Sequence, residues 1–330
     1  MNMADGDNAM AKNRDTKSTA GMQIIPGEMV ASIEEIVMID PECYELDLNH
    51  RRIDKLENFE PLINIERLYL RWNLIKKIEN LEMLKNLVEL ELYDNQITKI
   101  ENLDELENLE ILDLSFNRLT KIENLDKLLK LQKLYFVANK INFIENIGIL
   151  TNLTMLELGD NKLKKIENIE SLVNLRQLFL GKNKIAKIEN LDTLINLEIL
   201  SLQANRIIKI ENLEKLTNLK ELYISENGIE IIENLSGNKN LDTLDLAKNR
   251  LKTISNLEAL EQLEEIWLND NGIDNWKNLE VLKINKSLQT IYLEHNPVAT
   301  DVRYRSKLRD ILPHLQKIDA TLCVMPGAQS

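Results

Sequence analysis

An asparagine stands at positions 73, 95, 117, 139, 161, 183, 205, 227, 249 and 271, and every step between neighbours is 22. No other feature of the chain limits its fold so strongly. A strict period of this length means that one short unit is copied and stacked, because so short a unit cannot bury its own apolar side chains alone. One step before the series lies Arg51, in "LDLNHRRI", which keeps the leucines and loses the asparagine. One lengthened step after it lies Asn296. The register defines twelve copies of L-x-x-L-x-L-x-x-N-x-I-x-x-I-E-N-L-x-x-L-x-N.

Within a unit, L-x-L reads as a short strand with both leucines turned to the core. After the asparagine the apolar residues recur at every third position, as at Ile97, Ile100, Leu103, Leu106 and Leu109. A period of three predicts 3₁₀ or irregular turns. Stacked units place the strands in a parallel sheet at a spacing of about 4.8 Å. The recurring asparagine is expected to bond the backbone amides and carbonyls that leave the sheet, where an unpaired buried peptide group costs about 1–3 kcal/mol.

The pattern is that of leucine-rich repeats. The expected fold is an α/β repeat solenoid, a horseshoe of about twelve repeats. Its parallel sheet lies on the concave face, its 3₁₀ or irregular turns on the convex face, and helical caps close the ends. The expected divisions are a disordered tail over 1–28, an N-terminal cap over 29–44, the array over 45–296, and a C-terminal cap and tail over 297–330. The stretch 27–39, "GEMVASIEEIVMI", can form an amphipathic cap helix. In the C-terminal cap, Asp301 is expected to cap a helix carrying Tyr304, Leu308 and Leu312 and halted by Pro313, with Leu315 and Ile318 adding a final turn. Arg303, Arg305, Lys307 and Arg309 read as the solvated face of that helix.

Composition removes several function classes. The chain is 44% hydrophobic and 29% charged, which is globular rather than disordered. It holds no apolar run long enough to span a membrane. Its first residues lack the apolar core of a signal peptide, so a cytosolic or nuclear location is expected. The net charge of −13 opposes contact with a phosphate backbone and favours a positively charged protein partner. The two cysteines, Cys43 and Cys323, lie near opposite ends, which argues against a disulfide framework or a thiolate metal site. His50 is an array length from His295 and His314, and there is no Gly-rich phosphate loop. Glu91 and Asp113 on adjacent strands form a carboxylate pair, but no third ligand accompanies them. No enzyme, cofactor or metal is expected.

Most charges have a solvent-side explanation. The glutamates of the I-E-N triplets stack at the interval of the repeat, with lysines such as Lys77, Lys99 and Lys187 two positions earlier to offset their repulsion. The position between the two strand leucines behaves differently. In order it holds Asp47, Tyr69, Glu91, Asp113, Tyr135, Glu157, Phe179, Ser201, Tyr223, Asp245, Trp267 and Tyr292. Aromatic residues make up 5% of the chain and half of this column, and the flanking leucines already supply a core. Only Trp267 and Tyr292 stand side by side, so stiffening of the sheet by ring pairs explains little of the pattern. The column reads as a protein-binding surface in which rings anchor and acids select Lys and Arg on a partner. Tyr69, Glu91, Tyr223 and Phe116 are secondary candidates on it, with Trp72, Tyr93 and Glu265 close by.

The repeat and its length, the "IENL" turns, the segments "LYDNQI", "LFLGKNKI" and "IDAT", and the terminal "NP…YR…LP.L..ID" together resemble the family of protein phosphatase 1 regulatory subunit 7, over about residues 40–323. The resemblance implies a non-catalytic scaffold of nucleus and cytoplasm that holds the catalytic subunit of protein phosphatase 1 on its concave face and controls its maturation, with inhibitor-3 as a further partner. It carries partner contacts to Asp113, Tyr135, Glu157, Phe179, Asp245, Glu265, Trp267 and Tyr292. Tyr135 stands where the family leads one to expect Phe. The alternative is a ribonucleoprotein scaffold of the spliceosomal A-prime type that binds an RNA-binding-domain protein. Those proteins share the repeat and cap but have far fewer repeats.

Overall fold

The computed structural model describes residues 40–323. The tail expected over 1–28, the cap helix over 27–39 and residues 324–330 lie outside them. Each L-x-L segment forms a three-residue strand. In chain order these are β1 (Glu45–Asp47), β2 (Arg67–Tyr69), β3 (Glu89–Glu91), β4 (Ile111–Asp113), β5 (Lys133–Tyr135), β6 (Met155–Glu157), β7 (Gln177–Phe179), β8 (Ile199–Ser201), β9 (Glu221–Tyr223), β10 (Thr243–Asp245), β11 (Glu265–Trp267) and β12 (Thr290–Tyr292). Every strand pairs in parallel with the next. Leu112 lies between Leu90 and Leu134, and Asp113 lies between Glu91 and Tyr135. The repeat period is thus the sheet register, and each sequence column becomes a physical row across the strands.

The leucines and isoleucines of all repeats join one continuous core. The strand leucines from Leu68 onward are fully buried. The outer side takes the irregular one of the two forms that the period of three allows. Bonds such as Leu106 N–H to Leu103 O (3.0 Å) and Leu109 N–H to Leu106 O (3.0 Å) close successive tight turns, not a running 3₁₀ helix. Among the described residues a long 3₁₀ segment forms at Trp276–Ile284, in the lengthened repeat before Asn296. The apolar period of three is satisfied by two chained turns, each pointing its first and last side chain inward.

The recurrent asparagine does what its position requires. The Asn139 side chain accepts from Leu119 N–H (2.9 Å) and donates to Leu114 O (2.9 Å) in the preceding repeat and Phe136 O (3.2 Å) in its own. The same set recurs at Asn73, Asn95, Asn117, Asn161 and Asn183. The asparagine of the I-E-N triplet forms a second ladder that sequence reading passed over in favour of its glutamate. Asn80, Asn102 and Asn124 have φ of 59°, 59° and 56° and donate 2.7 Å bonds to Leu56, Ile78 and Ile100 carbonyls one repeat back. Asparagine is among the few residues that tolerate this left-handed backbone. The neighbouring glutamates sit at the surface and pair within their own turn, as in Lys77–Glu79 (3.2 Å) and Lys99–Glu101 (3.6 Å).

At the N-terminal boundary residues 40–44 form a turn, with Cys43 N–H bonded to Asp40 O (3.0 Å). The C-terminal cap contains helix α1 (Tyr304–Ile311), then β13 (Lys317–Ile318), parallel to β12, and β14 (Thr321–Leu322), antiparallel to β13. Asp301 does not sit at the N-cap of α1. It ends the short 3₁₀ turn Pro297–Thr300 and accepts from Arg303 N–H (2.8 Å), because Pro297 starts its own turn before the helix can begin. The basic face is also only partly solvated. Arg305 donates to Ile318 O (2.9 Å) and Thr321 O (3.2 Å), and Lys307 pairs with Asp301 and lies 5.1 Å from the Trp276 ring centroid. Arg305 fastens α1 to the last strands, and Lys307 fastens it to the 3₁₀ segments before it.

Candidate concave binding face

Residues one and three of each strand point to the same side of the sheet. The concave face therefore carries two columns per strand, followed by the two residues that leave the sheet before the buried asparagine. The column read from sequence is the third-residue row, and the structure assembles all of it on this face. The first-residue row adds Arg67 and Lys133, and the exit row adds Arg71, so the face is not free of bases. Period-two alternation was the signal that could have found them.

The acids of the column differ among themselves. Asp113 is 8% exposed and Asp245 is 3% exposed. Asp113 accepts from Ser115 N–H (2.9 Å) and Asp245 from Ala247 N–H (2.9 Å). Asp47 makes the same bond to Asn49 N–H (2.9 Å). An aspartate bonded to the amide two residues on is an Asx turn, which ends the strand. Burial pushes the Asp113 and Asp245 carboxyls above their ordinary range, against these bonds and against the serine hydroxyls nearby. The expectation that Asp113 waits open for a partner's cation is thus modified: the carboxyl lies on the concave side, but it already serves the backbone.

Glu91 is also enclosed, 7% exposed, and Arg71 Nε lies 2.5 Å from its Oε2. Burial raises it to about 7, in opposition to Arg71 and reinforced by the adjoining Glu89 carboxyl. Glu89 in turn lies near Arg67 (3.7 Å) and Tyr69 Oη (3.4 Å). β2 and β3 thus share an internally compensated polar cluster. The secondary candidates Tyr69 and Glu91 belong to it.

From β5 onward the column is more open at its rings and at Glu157, while Ser201 and Asp245 stay buried. Tyr135, Glu157, Phe179, Tyr223, Trp267 and Tyr292 are all half-buried. Three of the rings have their polar tips fixed. Tyr223 donates to Glu221 (2.6 Å), Trp267 Nε1 donates to Glu265 (2.6 Å), and the Tyr292 hydroxyl is held by Lys317. Trp267 and Tyr292 rings lie 5.3 Å apart, and Lys317 Nζ stands 4.9 Å from the Tyr292 centroid. Glu265, the near neighbour of the column, is therefore the residue that orients Trp267. Rings held this way lose little side-chain freedom when a partner covers them.

The N-terminal end carries a feature that the column did not include. His50, Trp72, Tyr93 and Phe116 form a continuous ladder at the strand exits, with centroids 4.3, 5.5 and 4.8 Å apart. Trp72 and Phe116 remain 40% and 42% exposed. Their φ of 54° is a costly conformation for bulky residues, about 1–2 kcal/mol each. The sequence pattern puts Phe116 among the secondary candidates and Trp72 and Tyr93 near them, and the contact between the rings is visible only in the fold.

Among the described residues no group of three potential ligand side chains is placed to hold a metal ion, and no helix is long and apolar enough to cross a membrane.

Comparison with known proteins agrees with the geometry at the level of fold. A family model described as leucine-rich repeats in two copies matches residues 63–105, 151–193, 195–237 and 239–283, and a single leucine-rich repeat matches 108–128. Among curated relatives, the chain is 55% identical over 46 residues to protein phosphatase 1 regulatory subunit 7 of Homo sapiens and of Bos taurus. That alignment covers 14% of this chain and 13% of each relative, far less than the span 40–323 expected from the motifs. Among solved structures, an internalin of Listeria monocytogenes superposes with a TM-score of 0.69 at 26% identity, covering 84% of this chain and 87% of its own. A leucine-rich repeat protein of Leptospira interrogans gives 0.65 at 24%, covering 78% and 73%.

Proposed function

The chain belongs to the leucine-rich repeat proteins, and from that premise we propose that it is a non-catalytic subunit that docks the catalytic subunit of protein phosphatase 1 on its concave face. The observation that carries the reading is the set of half-open rings along β5 to β12, with Glu265 fixing Trp267 and Lys317 fixing Tyr292. Rings of this kind, enclosed at the base and presented to one side, are the usual anchors of a protein interface. Eleven strand spacings make the face about 50 Å long, which suits a folded domain. The short alignment with phosphatase regulatory subunits supports this choice of partner.

In this reading Phe179, Trp267 and Tyr292 anchor, with Tyr135 beside them. Glu157 and Glu265 contribute charge, and Asp113 and Asp245 hold the strand ends in shape while adding negative potential. Tighter binding of one metal state of the phosphatase than another would bias its maturation by the difference in affinity, with inhibitor-3 completing a ternary complex in nucleus and cytoplasm.

The test is binding of the purified full chain to the phosphatase catalytic subunit, loaded with metal or stripped of it. Micromolar or tighter binding to at least one form is expected. Trp267→Ala and Phe179→Ala should each weaken it by about 2 kcal/mol or more while shifting stability little. Absence of binding to both forms, or equal loss of affinity and stability in the variants, refutes the proposal.

A further inference from the structure

The two residues that leave each strand before the buried asparagine are Arg71–Trp72, Tyr93–Asp94 and Ser115–Phe116 in the second to fourth repeats. From the fifth to the eleventh repeat the same two positions hold no ring: Val137–Ala138, Gly159–Asp160, Gly181–Lys182, Gln203–Ala204, Ser225–Glu226, Ala247–Lys248 and Asn269–Asp270. The turn holds every member of the second of these columns at a φ between 50° and 58°. Aspartate, lysine, glutamate and alanine fill it elsewhere, with histidine in the first and last repeats (His50 and His295). Trp72 and Phe116 occupy it with their backbones strained and their rings exposed, so core packing does not account for them. Neighbouring exposed rings that the core does not hold mark a surface kept for contact.

The same column shows what its acids do. Lys248 Nζ lies 2.9 Å from Glu226, and His295 Nδ1 lies 3.0 Å from Asp270. Residues on adjacent strands of the column thus can meet, and Glu226 and Asp270 each take a cation beside them. Asp94 has rings there instead. It is exposed, its column neighbours on either side are Trp72 and Phe116, and no described side chain forms an ion pair with it. Tyr93, next to it in sequence, already has a guanidinium, that of Arg71, 5.8 Å from its ring centroid.

The geometry points to a cation-recognition site at Trp72, Tyr93, Asp94 and Phe116, which takes an arginine side chain from an extended segment of a partner protein. A planar guanidinium stacks on an indole or phenyl face and pairs a carboxylate through two parallel N–H groups, which matches rings flanking a single carboxylate. The acidity of the whole chain, −13, favours approach of such a segment. Trp72 and Asp94 stand outside the residues proposed to dock the phosphatase, so the two sites are separable by mutation.

The probe is a blocked hexapeptide that alternates arginine with valine, titrated calorimetrically into the full chain beside counterparts bearing citrulline or lysine. The arginine peptide is expected to bind at least tenfold tighter than the citrulline one. Asp94→Asn and Trp72→Ala should each weaken it about tenfold, with melting temperature unchanged or raised. Glu226→Gln, an exposed acid of the same column at the far end, should leave it unchanged. Equal loss in Glu226→Gln would mean general electrostatic attraction, and equal binding of the citrulline peptide would mean an apolar occupant. Tighter binding of the lysine peptide would also overturn the assignment. So would peptide binding that appears only after removal of residues 1–22, since the occupant would then be this chain's own basic segment around Lys12, Arg14 and Lys17. Self-association that Asp94→Asn abolishes would make a second copy the occupant instead.

Discussion

Truncation of the buried asparagines gives the sharpest test of how the repeats hold each other. Asn139→Ala removes the acceptor of Leu119 N–H, which is buried. It also removes donors to Leu114 O and Phe136 O, but each of these carbonyls has a second asparagine: Asn117 donates to Leu114 O (3.1 Å) and Asn161 to Phe136 O (2.8 Å). One orphaned amide costs about 1–3 kcal/mol, and two carbonyls that lose one bond of two cost less, so the single variant should lose about 2–4 kcal/mol. Asn161→Ala should lose a similar amount. The pair together leaves Phe136 O with neither donor. The double variant should therefore lose about 1 kcal/mol more than the sum. Asn139 and Asn183 share no carbonyl, and that pair should add within about 0.5 kcal/mol. Urea unfolding followed by circular dichroism, with the slope checked for loss of cooperativity along the array, measures all of these. Additivity in the adjacent pair equal to that in the distant pair would refute the shared-carbonyl account.

Three further outcomes follow from the same geometry. Glu91 is raised to about 7 in the fold, above its unfolded value, so the native state keeps a proton that the unfolded chain has lost; the stability this contributes is complete below about pH 4.5 and disappears as pH rises through 7, on the order of 2 kcal/mol in all. Denaturant titrations at pH 5 and pH 8 should show that fall, and Glu91→Gln should flatten it; a rise with pH would contradict it. Asn102 sits at φ 59° and donates to Ile78 O, so Asn102→Ala should be less stable than Asn102→Gly by about 1 kcal/mol, and the reverse order in thermal melts would show that strain is absent. Asp319 accepts from Leu293 N–H (2.9 Å), Glu294 N–H (3.1 Å) and Tyr304 Oη (3.2 Å); Asp319→Ala should cost about 2–3 kcal/mol and raise hydrogen exchange in β12 and β13 while leaving β3 to β6 protected.

The period of the asparagines determined the architecture without help from the structure. A buried unit that cannot stand alone must stack, and equal spacing makes each sequence column a row of the sheet; Leu112, Asn117 and Ile122 could have no other place. The same logic puts Phe179, Trp267 and Tyr292 on one face from the sequence alone. Tertiary structure decided what those columns could not contain, because a column names residues one period apart and is silent on near neighbours along the strand or at its exit. Asp113 and Asp245 bend back to their own backbone, since an aspartate side chain reaches the amide two residues on. Arg71 enters from the next row and occupies Glu91. Arg305, read as part of a solvated face, ties the cap helix to the last strands, and Lys307 ties it to Asp301 and Trp276. The ladder from His50 to Phe116 leaves the column of His50, Trp72 and Phe116 to pass through Tyr93 of the column beside it, so no single column joins it. Only the curvature and turn geometry of the stacked repeats bring its rings into contact beside Asp94.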